Sequence, residues 1–181
     1  MPIITGLCVL LYFFHSIAIG LLLLNILPYH PIYKNAGVML LALILFHLLY
    51  HAVKEARKLY LQKTSVIKSR LYVRQNKRYY GQRLSGVLLL IFIFLHFSAY
   101  GYSDADGYHV RHFNEYLLFN QLMLIVLAGV HMFLGARSLI ISLKVDTAKK
   151  PGRIALVVLQ LLVVFSIFIS CWGVLSYYSS F

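Results

Sequence analysis

Five stretches of the chain run almost without a charge, at about residues 3–27, 36–53, 84–100, 117–143 and 154–177. At about 1.5 Å per residue, each is long enough to cross a hydrocarbon core ~30 Å thick. The polar segments between them are short or strongly basic, so the pattern predicts an all-α fold: one integral membrane bundle of five transmembrane helices spanning residues 1–181. Composition agrees, because 61% hydrophobic residues and a mean hydropathy of +0.79 leave too few polar side chains to cover a soluble fold of this size. The first stretch has no basic start and no Ala-x-Ala exit and exceeds the usual length of a signal core, so it is read as a true span. Cys8 and Cys171 fall in different spans without metal-site spacing and read as small packing residues.

Charge sets the expected orientation. Of 17 Lys and Arg residues, ten lie in residues 54–83 and four in residues 144–153, which assigns both connections to the cytoplasm. Segments 28–35 and 102–116 then face outward, the amino terminus lies inside and the carboxyl terminus outside. The net charge of +12 is thereby a topology signal with contact to anionic lipid, and no nucleic-acid partner is expected.

The candidate chemistry lies in histidines within the apolar stretches. His15 recurs 81 residues later as His96, and His51 recurs 80 residues later as His131. The second pair keeps its surroundings, His51-x-x-x-x-Ala56-Arg57-x-Leu59 and His131-x-x-x-x-Ala136-Arg137-x-Leu139, which points to an internal two-helix duplication. Ionisable groups within a bilayer are costly and call for a function. By residue counts from the expected span ends, His15 and His96 each lie roughly 21 Å from the cytoplasmic end, and His51 and His131 each roughly 22 Å from the outer end. Two level pairs at two depths fit two bis-histidine haems with planes ~10 Å apart in a ~30 Å core. Zinc would want its ligands at one depth with sulfur or carboxylate help, and no Asp or Glu lies inside any span. Gly6, Gly20, Gly86, Gly129 and Gly135 either let a flat macrocycle approach the backbone or serve helix contacts.

The ordered set of His51 through Arg57-Lys58, the long basic connection, Gln82-x-x-Ser85-Gly86, His96 and His131-x-x-x-Gly135-x-Arg137 resembles the five-helix dihaem cytochrome b subunit of succinate:quinone oxidoreductases and quinol:fumarate reductases. The resemblance covers roughly the first four spans. It implies two haem b, the distal one held by His15 and His96 and the proximal one by His51 and His131. It also implies electron transfer between a cytoplasmic iron–sulfur subunit and membrane quinone, with dicarboxylate chemistry on a flavoprotein subunit, in a bacterial-type cytoplasmic membrane. The chain itself has no dinucleotide fingerprint and no cysteine cluster for iron–sulfur centres. Some relatives carry a buried carboxylate two residues before the last histidine, where this chain has Gly129, which puts a proton route through such a group in doubt.

Other residues have open roles at this point. His47, one turn before His51, is a ligand, a hydrogen-bond partner of a haem edge or quinone, or a packing residue. Gln82, Arg83 and Ser85 are expected at the cytoplasmic mouth of the third span as propionate or quinone contacts, with a snorkelling Arg the alternative. Arg57 and Arg137, six residues past their histidines, either face the inner haem propionates or anchor span ends at lipid phosphates. His109-x-x-His112 reads as a solvated outer loop, His30 as an interfacial turn residue, and the tyrosines near span ends as an aromatic belt. Two other functions are compatible with the pattern: the cytochrome b of another respiratory complex such as a nitrate reductase, where ligands concentrate on two helices, and a haem-free transporter with a histidine relay.

Overall fold

The computed structural model describes residues 2–62, 77–96, 101–104, 107–110 and 114–179. Among these it forms five helices, α1 Pro2–Leu23, α2 Pro31–Gln62, α3 Lys77–His96, α4 Glu115–Ser142 and α5 Lys150–Tyr178, with a two-stranded hairpin, β1 Gly101–Asp104 and β2 Gly107–Val110, between α3 and α4. The helix ends follow local chemistry. Asn25 takes the left-handed conformation (φ 57°) just past α1, where the Ile26 amide turns back to the Leu21 carbonyl at 3.0 Å. Pro31 opens α2, where a missing N–H costs no helical hydrogen bond. Asn114 caps α4 by accepting from the Leu117 amide at 2.7 Å, with Glu115 in the first turn beside the positive end of the helix dipole.

Four helices are long and apolar enough to span a bilayer, and the apolar part of α3, Tyr80–His96, is shorter. The protein is therefore a multi-pass membrane protein with the expected helical bundle. The helices depart from the predicted spans: α1 stops at Leu23, whereas α2 and α5 extend beyond both predicted ends. α2 runs on to Gln62, so at 32 residues it extends ~48 Å and outruns the hydrocarbon core. α3 begins at Lys77, inside the basic connection, and ends at His96. Charge ends a hydrophobic span but does not end a helix, since Lys and Arg are good helix formers. Most of the 54–83 connection beyond α2, the last residues of the predicted third span, and Arg111 and His112 lie outside the described residues. The hairpin was not expected in the outer loop; its register pairs Gly101 with Val110 and Tyr102 with His109.

Packing joins α1 to α2, α1 to α5, α5 to α4 and α4 to α3, with a smaller contact of α1 on α4, while α2 has no comparable contact with α3 or α4 among the described residues. Small residues make these contacts close, as expected where lipid removes the hydrophobic drive between helices. Gly20 and Gly173 meet backbone to backbone between α1 and α5, and a Cβ on Gly173 would sit 2.5 Å from the Gly20 carbonyl oxygen. Beside them Ser16 and Ser166 share a 3.0 Å hydrogen bond, and the Ser170 hydroxyl donates to the Ser16 carbonyl at 3.0 Å. Gly129 faces Ile167 of α5. Gly20 and Gly129 are thus helix-packing glycines. Large apolar side chains such as Leu10, Leu49, Phe168 and Trp172 point outward, where lipid is the solvent.

Candidate functional site

The histidines gather at two levels of the bundle. At one, the His15 ring packs on α2, where its Nδ1 donates to the Tyr33 carbonyl at 2.8 Å. Gly37, one turn past Tyr33, leaves the space: a Cβ there would stand 2.7 Å from His15 Cε1. His96 lies within electrostatic range of His15, and its Nδ1 donates to Gln121 Oε1 of α4 at 2.7 Å.

At the second level, the His131 ring packs on α3 in the same manner. Its Nδ1 donates to the Gln82 carbonyl at 3.0 Å and lies 3.2 Å from Ser85 Oγ, whose hydroxyl itself donates to Gln82 O. Gly86, one turn past Gln82, provides the space, with a Cβ there falling 3.1 Å from His131 Cε1. α2 and α3 therefore use one device, a carbonyl at position i that fixes the imidazole and a glycine at i+4 that admits it. Across from His131, His47 lies within electrostatic range of both His131 and His51, and the His47 and His51 rings are 4.4 Å apart.

The two levels are separated by the same step on three helices: Gly37 to His47 on α2, Gly86 to His96 on α3 and Gln121 to His131 on α4 are each ten residues, ~15 Å at helical rise. This exceeds the ~10 Å expected from span counts. It also puts His47 level with His131, with His51 one turn further along α2, because α2 starts at Pro31 and not near residue 36.

The Nδ1 bonds decide chemistry. A carbonyl oxygen only accepts, so His15 and His131 carry the proton on Nδ1 and keep the lone pair on Nε2, while His96 Nδ1 meets the Gln121 side-chain amide. A neutral imidazole whose Nδ1–H is bonded to an oxygen is the form in which histidine commonly binds metal.

The remaining expected residues fall as follows. Gln82 and Ser85 act on His131, Gln82 through its backbone carbonyl, and the Gln82 side chain packs against Gly135, where a Cβ would be 2.7 Å from Nε2. Arg57, Arg83 and Arg137 are exposed. Gly6 has open space around it. Tyr33, Gly37 and Gln121 were not singled out from sequence. Gln121 had a visible signal, a polar pair with Asn120 inside an apolar stretch. Asn120 is fully buried with both amide atoms unpartnered, as are Gln121 Nε2 and His47 Nδ1. Such groups cost about 1–3 kcal/mol each when nothing meets them, so they mark places where the protein fold alone is incomplete.

A family model, the succinate dehydrogenase/fumarate reductase transmembrane subunit, matches residues 77–169, just over half of the chain. The matched region holds α3, α4 and most of α5, with His96 and His131 in it. Comparison with curated proteins and with solved structures returns no match. Together with the all-helical membrane bundle and the imidazoles fixed at two levels within it, the match establishes that the chain belongs to the succinate dehydrogenase/fumarate reductase transmembrane subunit family.

Proposed function

We propose that this chain is the electron-carrying membrane anchor of a succinate dehydrogenase or fumarate reductase complex, linking an iron–sulfur subunit on the cytoplasmic side to membrane quinone through two bis-histidine b haems. The observation that carries the reading is the pair of Nδ1 bonds to backbone carbonyls at the two levels, His15 to Tyr33 and His131 to Gln82, each of which puts the proton on Nδ1 and the lone pair on Nε2. The residues fit the group in three further respects. Glycines leave room for two of the imidazole rings, α2 has no extensive contact with α3 or α4 among the described residues, and buried polar atoms at both levels lack protein partners.

His15 and His96 would hold the outer haem. His131 would hold the inner haem with a histidine of α2, and the ten-residue step favours His47 for that position over His51, the residue read from the sequence. When bound, each haem supplies one-electron iron chemistry at its level. The chain's own contribution is to fix the imidazoles, keep the interior apolar and present cationic ends. The basic 54–83 connection, with Arg57, Arg83 and Arg137 at the same end, supplies a surface for an acidic face of the soluble partner and for lipid phosphates.

The reading is tested by purifying the chain under mild detergent and identifying what accompanies it. A flavoprotein and an iron–sulfur protein, together with a reduced-minus-oxidised b-type absorption band, are expected. A chain that purifies alone and without such a band would favour the haem-free transporter, and one bound to a molybdenum-containing partner would favour the other respiratory cytochrome.

A further inference from the structure

The cations where α5 begins sit on a particular face of the helix. Lys150 and Arg153 are followed by Ile154, Val157 and Val158 at the spacing of a single helical stripe. These five side chains line a groove of about 360 Å³ on the surface of the bundle. The other side of α5, through Gly152, Val163 and Ser166, is buried. Ile154, Val157 and Val158 are exposed, and the apolar stripe continues through the exposed Leu161 and Phe165. From Arg153 to Phe165 is twelve residues, ~18 Å at helical rise, close to the ~15 Å depth of one leaflet in a ~30 Å core.

These side chains ask for an occupant with two unlike parts. Its head must be anionic, because residues 144–153 hold Lys144, Lys149, Lys150 and Arg153 against one acid, Asp146, whose carboxylate accepts from the Ala148 amide at 2.9 Å. Its body must be apolar and reach below the charges, since Val158 lies eight residues past Lys150, ~12 Å along the helix. An acidic soluble protein or a free phosphate meets the first condition and fails the second, having no part that enters hydrocarbon. A phospholipid meets both. We infer that this groove is a binding site for one anionic diacyl phospholipid, its phosphate between Lys150 and Arg153 and an acyl chain along Ile154, Val157 and Val158. The site differs from the general attraction of the 54–83 connection for phosphates in having a place for the chain as well as the head, and it does not depend on haem.

The test uses the purified complex, stripped of lipid in a neutral detergent and titrated by native mass spectrometry with phosphatidylglycerol or with phosphatidylcholine of the same acyl chains. One phosphatidylglycerol should be retained at ~10–30-fold lower concentration than phosphatidylcholine, as two cations near a phosphate warrant. Lys150→Gln combined with Arg153→Gln should abolish this preference. Lys144→Gln combined with Lys149→Gln removes the same charge from the same exposed segment but away from the groove, and should leave the preference in place. Equal loss in both double variants would mean diffuse charge attraction, and loss in neither, or no preference in the unsubstituted protein, would likewise overturn the site. Glycerol phosphate, a head without chains, should not displace the lipid; displacement would reduce the groove to an anion site. Release of the soluble subunits from the Lys150/Arg153 variant with its lipid retention unchanged would assign these cations to subunit docking and overturn the lipid site. Should that variant fail to assemble, the comparison of the two lipids on the unsubstituted protein, with the glycerol phosphate competition, decides.

Discussion

His96→Ala should remove the outer haem and keep the inner, and His131→Ala should do the reverse, each halving the haem content of the chain. The expectation follows from the separation of the two levels: ten residues along α4 stand between Gln121, which binds His96, and His131, so loss of one ligand leaves the other site's second-shell contacts in place. The His131 ring lies against Gly86 and the His96 ring against the Gln121 amide. The α2 histidines provide the finer comparison. His47 lies within electrostatic range of His131 and, by the ten-residue step, level with it, so His47→Ala should lose the inner haem and His51→Ala retain it. The opposite result would restore the assignment read from sequence, and disappearance of the same spectral component in the His96 and His131 variants would defeat the pairing altogether.

Gly37→Ala should disturb the outer site almost as severely as removal of a ligand, although Gly37 contributes no atom to it. Its Cβ would stand 2.7 Å from His15 Cε1 and 3.0 Å from Nδ1, inside contact distance, while Nδ1 is held by the carbonyl of Tyr33 one turn away. The ring must leave that bond or α2 must move off α1. Overpacking of this kind costs about 1–3 kcal/mol, and displacement of the tautomer-fixing bond should weaken outer-haem retention by ~10-fold or more. Gly86→Ala is the matched control, since its Cβ would fall 3.1 Å from His131 Cε1, a contact that a few tenths of an ångström relieve. Haem content and thermal stability of the two variants provide the comparison. Equal, small effects in both would show that the glycines serve helix contact only.

The sequence revealed the histidines because a charged or polar ring in an apolar span stands out against its surroundings, and periodic apolar stretches are the strongest signal a membrane chain carries. The ends of α2 and α3 were less legible, since basic residues mark where a span leaves the bilayer without stopping the helix. Gly37 was missed for a different reason. Its role depends on which helix packs against His15, and a glycine near a helix start looks the same whether or not an imidazole lies over it. The partners of His15 and His131 are backbone carbonyls, which every residue carries, so no residue type could announce them. Gln121 was readable in principle, as a buried amide inside a hydrophobic stretch, but its partner His96 lies 25 residues earlier on another helix. The step between the levels shows the same limit: it is ~15 Å and not ~10 Å, since span ends read from hydropathy alone are uncertain by about one turn.

The central claim, that fixed imidazoles at two levels hold two haems, is tested most directly by a pyridine haemochrome assay on the purified protein against quantitative amino-acid analysis. Two b haems per chain are expected, both low spin because imidazole fills both axial positions. A reproducible ratio of one would mean that one level holds no haem, and a ratio of zero in a folded, partner-bound chain would contradict the account entirely.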